Sequence, residues 1–221
     1  MQTIIRDINT TAGQIPDLAM IWLHGLGADG KDFVSAVDYL NLADNLGVRF
    51  VFPTAAMRSV TINNGLQMRS WYDIKAMLPQ RVTDLGQLQE SVDLIHREVE
   101  ALVAEGIDQS KIIVVGFSQG GAVAYELALT AKVKLLGVVA MSTYIASDLT
   151  VDRCLAAKDL NILSIHGSHD EVVPCSLGER SVDKLKELGF APHWHTYPMG
   201  HEVTLETLSL VGEWITEKIK S

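Results

Sequence analysis

The sequence predicts an α/β protein with a doubly wound, mostly parallel sheet and helices on both faces. Short runs rich in β-branched residues alternate with longer amphipathic runs along all 221 residues, which is the pattern of repeated βαβ units. Central runs such as Ile112–Val115 are apolar at every position, as strands buried on both faces of a parallel sheet are. The chain shows no internal repeat, low-complexity tract or linker. We therefore expect one domain over residues 1–221.

The predicted elements follow in order along the chain. Strands are expected at Leu18–His24, Arg49–Pro53, Lys111–Phe117, Leu135–Ser142, Asn161–His166 and His193–Tyr197, with another near Thr3–Ile8. Helices are expected at Asp32–Leu40, Asp84–Ala104, Gln119–Thr130 and Ser176–Leu188, and a last one carries Leu205 to Ile219. The helix from Asp84 has the clearest apolar stripe. Asp84 and Gln87 resemble a capping box, and Gly106 is placed to end that helix.

Composition and charge exclude several function classes. A hydrophobic fraction of 48% with 20% charged residues suits a globular core, and a net charge of −9 disfavours nucleic-acid binding. Cys154 and Cys175 belong to no CxxC motif or Cys/His cluster, so neither a zinc site nor a disulfide is expected. The N-terminal residues lack the features of a signal peptide, and no apolar run approaches a membrane span. We expect a cytoplasmic protein that needs no metal or cofactor.

The pentapeptide Gly116-Phe-Ser-Gln-Gly120 directly follows the most strand-like run of the chain and directly precedes a helical run. A G-x-S-x-G nucleophile elbow of the α/β-hydrolase fold requires this strand–turn–helix setting. The serine occupies a strained backbone conformation there, and the flanking glycines let strand and helix approach each other. We therefore predict that Ser118 is a nucleophile. The alternative is a glycine-rich turn that only packs tightly.

A serine hydroxyl is a weak nucleophile at neutral pH, so it needs a base and a carboxylate that orients the base. In this fold the carboxylate and the histidine follow the serine in that order. Asp170 lies in the loop after a predicted strand, and His201 lies between the last strand and the last helix. We predict that these two residues complete a triad. Glu171 is the competing carboxylate, and solvent exposure is the alternative for a lone loop histidine.

Two backbone N–H groups are expected to bind the oxyanion of the reaction. The helix that begins after Ser118 offers the N–H of Gln119, where free donors and positive potential coincide. The early strand ends in a glycine-rich His-Gly turn, and we expect the N–H of Leu26 to be the second donor. The alternative for this segment is an ordinary tight turn.

Five motifs together resemble the phospholipase/carboxylesterase family, which includes acyl-protein thioesterases and small bacterial carboxylesterases. They are Leu23–Asp29, Ser70–Ile74, Gly116–Gly121, His166–Pro174 and Tyr197–Glu202. The resemblance covers nearly the whole chain, and the first two motifs are closer to the bacterial carboxylesterases. Arg69 is a departure, because the family more often has a small residue or proline before Ser-Trp, and the cation leaves the local loop shape open.

The resemblance implies an α/β-hydrolase without a large cap domain, with the triad Ser118, Asp170 and His201. It also implies an oxyanion hole formed by Leu26 and Gln119. The reaction implied is hydrolysis, through an acyl-enzyme, of short-to-medium acyl esters, lysophospholipids or protein S-acyl groups. The substrate is thus expected to be a small-molecule or lipid ester, or an acylated protein. Homodimers are common in the family, so a homodimer is an expectation as well, and peripheral membrane contact stays open.

The segment Thr54–Val82 has no sustained periodicity, and segments of this kind are usually functional loops or small hairpin insertions. It carries four apolar residues that we predict to bind the acyl chain, since such a chain needs an apolar wall: Trp71, Ile74, Met77 and Leu78. The alternative is that they pack onto the sheet as a satellite core. Two rival functions are a catalytically silent hydrolase-like binding module, although no triad member is missing, and a peptidase on the same fold.

Overall fold

A seven-stranded sheet forms the centre of the fold in the computed structural model, which describes residues 2–11, 13–77, 81–131, 133–157 and 159–220. The strands of the described residues are β1 (Gln2–Ile8), β2 (Leu18–Leu23), β3 (Val48–Thr54), β4 (Met57–Val60), β5 (Leu66–Arg69), β6 (Ile74–Ala76), β7 (Val82–Thr83), β8 (Ile112–Phe117), β9 (Gly137–Met141), β10 (Asn161–Gly167) and β11 (His193–Tyr197). The α-helices are α1 (Leu85–Ala104), α2 (Gln119–Thr130), α3 (Cys175–Glu187) and α4 (Leu205–Lys220).

The sheet has the order β1-β3-β2-β8-β9-β10-β11. Strand β1 pairs with β3 in antiparallel register, and every other pair in this sheet is parallel. The carboxyl ends of β2, β8, β9, β10 and β11 therefore meet at one edge, where the loops of an α/β protein carry its functional groups. The α/β prediction and each of its strands are confirmed, with ends that differ by no more than two residues.

Helices cover both faces of the sheet, as predicted. Successive residues of β2 point to opposite faces, so that Ile21 belongs to one apolar cluster and Met20 to the other. The first cluster contains residues from α1, α2 and α3, and the second contains residues from α4. None of the helices in the described ranges is both long enough and apolar enough to cross a bilayer.

The prediction of a single helix at Asp32–Leu40 is wrong. The structure has two short 3₁₀ helices there, Gly30–Phe33 and Ala36–Tyr39. The side chain of Asp29 accepts a hydrogen bond from the N–H of Lys31, and the side chain of Asp32 accepts one from the N–H of Asp29. These local hydrogen bonds close a tight turn at the start of the segment. The spacing of apolar residues does not indicate such bonds between side chains and the backbone.

The segment Thr54–Val82 contains two small hairpins, β4–β5 and β6–β7, outside the main sheet. Asn64 and Gly65 have φ values of 55° and 75°, and this left-handed backbone forms the turn of the first hairpin. The start of α1 differs from its prediction in one detail. Asp84 accepts a hydrogen bond from the N–H of Gln87, as in a capping box, but the side chain of Gln87 binds the N–H of Asp73 instead of the cap.

Candidate active site

Ser118 lies at a sharp turn between β8 and α2, with φ 54° and ψ −121°. Its N–H donates to the carbonyl of Met141 at 2.9 Å, and its own carbonyl accepts from the Thr143 hydroxyl at 2.6 Å. These bonds hold a backbone conformation that is costly for a residue with a side chain. A Cβ atom on Gly116 would lie 2.4 Å from the carbonyl oxygen of Gly120. The glycine is therefore required by the close approach of strand and helix, as the elbow motif predicted.

The side chains of Ser118, His201 and Asp170 form one continuous hydrogen-bonded chain. Nε2 of His201 lies 2.8 Å from Oγ of Ser118, and Nδ1 lies 2.7 Å from Oδ2 of Asp170. A carboxylate can only accept, so Nδ1 carries the proton and Nε2 is the free acceptor for the serine hydroxyl. The ring of Phe117 packs against that of His201, with centroids 4.8 Å apart. The sequence placed these three residues on separate loops, and the fold brings them together.

The carboxylate of Asp170 is buried and fixed by the backbone of its own loop. Oδ1 accepts hydrogen bonds from the N–H groups of Val172 and Val173, at 2.9 and 2.8 Å. This leaves Oδ2 for His201. The competing carboxylate, Glu171, is exposed and lies along a surface groove. Of the two neighbouring acids, it is thus Asp170 that contacts the histidine.

The two expected oxyanion donors occupy suitable backbone positions. Gln119 is the first residue of α2, and the N–H at that position has no partner within the helix. The N–H of Leu26 donates no hydrogen bond to any residue in the described parts of the chain. Gly25, next to it, lies against the elbow, because a Cβ atom there would be 3.4 Å from the Cβ of Ser118. The turn that follows β2 therefore reaches the nucleophile.

His24 anchors that turn, a role that the sequence does not predict. It is fully buried; its Nδ1–H donates to the carbonyl of Gly25 at 2.7 Å, and its Nε2 accepts from the N–H of Ala55 at 2.9 Å. Burial lowers the pKa of His24, which keeps the ring neutral and able to accept. The His-Gly dipeptide was the only signal of this contact in the sequence.

The four predicted acyl-binding residues do not share one environment. Trp71 and Ile74 are 1% and 4% exposed and belong to the large apolar cluster on the face of α1 and α2, so they pack onto the sheet within the main core and not as a separate satellite. Met77 is 39% exposed and lines a groove. Leu78 lies outside the described residues.

The groove has a volume of about 660 Å³ and runs beside the loop that carries Asp170. Its apolar walls include Met77, Tyr144, Val172 and Leu177. Tyr144 comes directly after Thr143, whose hydroxyl donates to the carbonyl of Ser118. The groove therefore borders the site on the side where β9 and β10 end.

The strand order, the strained elbow and the hydrogen-bonded Ser–His–Asp chain define the class of the protein: it is an α/β-hydrolase. The profile of the phospholipase/carboxylesterase family matches residues 11–219. The chain belongs to this family, and it is a hydrolase of carboxylic esters, as the sequence motifs predicted.

Individual relatives agree with the family match. An acyl-protein thioesterase 1 of Neurospora crassa is 35% identical over 215 residues, which cover 90% of this chain and 86% of the relative. The carboxylesterase SOBER1 of Arabidopsis thaliana is 30% identical over 207 residues, with 91% and 90% covered. The crystal structure of SOBER1 superposes with a TM-score of 0.85 at 27% identity and covers 91% of this chain and 99% of that one. The crystal structure of acyl-protein thioesterase 2 from Zea mays superposes with a TM-score of 0.81 at 25% sequence identity, and 99% of each chain is covered.

Proposed function

We propose that the protein hydrolyses carboxylic esters and thioesters of short-to-medium acyl chains through an acyl-enzyme on Ser118. The observation that carries this proposal is the hydrogen-bonded chain from Ser118 through His201 to Asp170, with contacts of 2.8 and 2.7 Å. Relatives named as carboxylesterase and as acyl-protein thioesterase support both an alcohol and a thiol as leaving group. Lysophospholipids and S-acylated proteins are the larger substrates of this kind.

In the acylation step, Nε2 of His201 takes the proton of the Ser118 hydroxyl while Oγ attacks the carbonyl carbon. Asp170 holds the ring in the required tautomer and stabilises the imidazolium that forms. The N–H groups of Leu26 and Gln119 bind the negative charge that develops on the carbonyl oxygen. Collapse of the tetrahedral intermediate breaks the bond to the leaving group, which takes its proton from His201.

In the deacylation step, water replaces the leaving group as the second reactant. His201 takes a proton from the water, whose oxygen attacks the acyl carbonyl of the ester on Ser118. The second tetrahedral intermediate expels Oγ, which regains its proton from the imidazolium. The products are the carboxylic acid and the free enzyme, so the cycle needs no cofactor.

The groove beside the Asp170 loop is the proposed acyl-binding site. An acyl chain needs an apolar wall, and Met77, Val172 and Leu177 supply one that is open to substrate. Met77 was among the residues predicted for this role. Trp71 and Ile74 are buried, so we do not include them in the proposed wall.

Labelling with a fluorophosphonate, followed by peptide mass spectrometry, tests the nucleophile. We expect one adduct on Ser118, and no label in the Ser118→Ala variant. A panel of p-nitrophenyl esters of increasing chain length, acyl-thioesters, a lysophospholipid and short peptides then tests the reaction. Absence of both label and turnover would support the silent binding module, and turnover of the peptides alone would support the peptidase.

We also propose that the enzyme works in the cytoplasm. Its two cysteines, Cys154 and Cys175, form no disulfide, which suits a reducing compartment. Cell fractionation with compartment markers tests this. The expected homodimer stays a prediction, which light scattering of the purified protein would test.

A further inference from the structure

We infer that the segment Arg69–Tyr72, here called the bracket, sets the width of the oxyanion hole by binding both of its walls. One wall is the turn that carries the N–H of Leu26, and the other is the elbow that carries the N–H of Gln119. The inference rests on the proposed function, because it takes these two groups as the oxyanion donors. It gives Ser70, Trp71 and the side chain of Gln119 the role of positioning residues.

The bracket holds the first wall on both sides of Leu26. The indole Nε1–H of Trp71 donates to the carbonyl of His24 at 2.9 Å. The N–H of Gly27 donates to the carbonyl of Arg69 at 2.9 Å. The rings of His24 and Trp71 also pack together, with centroids 5.1 Å apart. Residues before and after Leu26 are thus tied to the same short segment, which fixes the direction of the N–H between them.

The bracket holds the second wall through the side-chain amide of Gln119. Oε1 of Gln119 accepts from the N–H of Trp71 at 2.9 Å, and Nε2 donates to the carbonyl of Tyr72 at 2.6 Å and to Oγ of Ser70 at 3.0 Å. The backbone N–H of this residue is the proposed oxyanion donor. The backbone N–H of Gln119 is thus the proposed contact with the substrate, while the side chain of the same residue binds the bracket.

These contacts are shielded from water. The exposed fractions of Ser70, Trp71, Tyr72 and Gln119 are 0%, 1%, 0% and 2%. Hydrogen bonds in such a low-dielectric interior are strong, and a polar group left without its partner there is costly. The bracket is therefore a rigid spacer. An oxyanion hole is effective because its donors are in place before charge develops, and a rigid spacer between the two donors provides that condition.

The bracket is itself fastened to the long helix α1. The hydroxyl of Ser91 donates to the carbonyl of Trp71, and the side chain of Gln87 accepts from the N–H of Asp73. The position of the bracket thus depends on α1 as well as on the hairpin β4–β5, whose last residue, Arg69, is the first residue of the bracket. This explains why a Trp-Tyr pair lies in the core next to the active site without lining the acyl groove.

Trp71→Phe tests the inference, because it keeps an aromatic ring and removes the donor to His24. Trp214→Phe is the matched control: Trp214 is 3% exposed on α4, and its Nε1 has no partner among the described residues. We expect Trp71→Phe to lower kcat by about 10- to 100-fold and to change KM by less than about 3-fold. The expected loss in kcat is smaller than the loss caused by removing an oxyanion donor itself, because the donor remains but is less well positioned. The Ki of a trifluoromethyl ketone, which forms a tetrahedral adduct on the serine, should rise by the same factor as kcat/KM falls. In the control variant, kcat and the Ki of the ketone should each change by no more than about 2-fold, which corresponds to a small change in transition-state stabilisation.

Ser70→Ala provides a second test that does not depend on a large side chain, and Ser164→Ala is its control. Ser164 is equally buried, and its hydroxyl contacts that of Tyr125 at 2.6 Å, away from the bracket. We expect Ser70→Ala, like Trp71→Phe, to lower kcat and to raise the Ki of the trifluoromethyl ketone. A folded Trp71→Phe or Ser70→Ala variant that keeps the kcat and Ki of its control would overturn the inference. A parent protein without esterase activity would instead count against the proposed function.

Discussion

Nε2 of His166 lies 3.6 Å from Oδ2 of Asp170, the same oxygen that accepts the hydrogen bond of His201. His166 does not compete for that oxygen, because its Nε2–H donates to the carbonyl of Val173 at 2.8 Å. Burial lowers the pKa of His166. The ring is therefore neutral near pH 7, and it supports the loop that carries Asp170 without adding a charge beside it.

The depressed pKa of His166 predicts a loss of stability in acid. The ordinary value is 6.5, and between that value and the lower folded-state pKa the unfolded chain binds more protons than the folded one. The free energy of unfolding therefore falls as the pH drops below about 6.5, until the folded-state pKa is passed. The buried His24 contributes in the same direction. Urea unfolding at pH 7.5 and at pH 5.5 measures the effect.

The His166→Gln variant isolates the contribution of this residue, since glutamine has a side-chain N–H but does not titrate. We expect the difference in the free energy of unfolding between the two pH values to be smaller in the variant than in the parent. An unchanged difference would show that His166 does not titrate differently in the folded and unfolded chains.

Asp170→Asn should lower kcat by about 10³- to 10⁴-fold while the protein stays folded, because the amide donates where the carboxylate accepts and so favours the wrong imidazole tautomer. Steady-state kinetics on a p-nitrophenyl ester measures the loss. Glu171→Gln is the control: the side chain is exposed on the next residue, and we expect its kcat to remain within about 2-fold, as for surface changes outside the triad. The reverse order of effects would make Glu171 the orienting acid.

Met77→Asp should lower kcat/KM for p-nitrophenyl octanoate by about 10-fold or more, since a charge in the groove removes apolar contact with the far methylenes. Hydrolysis of the acetate should change little, because an acetyl group has no chain of methylenes to place in the groove. Met57→Asp is the control, as Met57 is exposed but is not among the residues that line this groove. Equal losses for acetate and octanoate would argue against the groove as the acyl site.

Gly116→Ala should lower the free energy of unfolding by at least about 2 kcal/mol, because the added methyl group meets backbone that cannot move aside. The nearest atom is the carbonyl oxygen of Gly120, at 2.4 Å from the new Cβ. Gly86→Ala, in the first turn of α1, should change stability by no more than about 1 kcal/mol, since alanine is favoured in helices and the nearest atom is 3.3 Å away. Chemical denaturation of both variants measures the contrast, and a Gly116→Ala protein as stable as the parent would refute the steric account of the elbow.

Features that depend on local sequence were predictable. The apolar run of β8 and the glycines around Ser118 specify a strand, a turn and a helix within a few residues, and the structure has this elbow with α2 beginning at Gln119. The order of Asp170 and His201 followed from the fold, because each lies after a strand at the same sheet edge. The left-handed φ of 99° at Gly106, where α1 ends, was likewise signalled by the residue type.

Features that depend on long-range hydrogen bonds were not predictable. The sequence predicts Trp71 as a contact of the acyl chain, and only its hydrogen bonds with His24 and Gln119 show why it is buried instead. The spacing from Asp84 predicts Gln87 as a cap residue, whereas its side chain accepts from the N–H of Asp73. Apolar spacing reports which face of an element is buried, but it does not report which buried polar group satisfies which other one.

The separation of the triad along the chain has a consequence during protein synthesis. His201 lies 83 positions after Ser118 in sequence, and Asp170 comes between them. A nascent chain on the ribosome therefore carries the proposed nucleophile long before it carries the proposed base. On the proposed mechanism such a chain lacks its general base, so we expect no hydrolysis before the segment after β11 has brought His201 to Ser118.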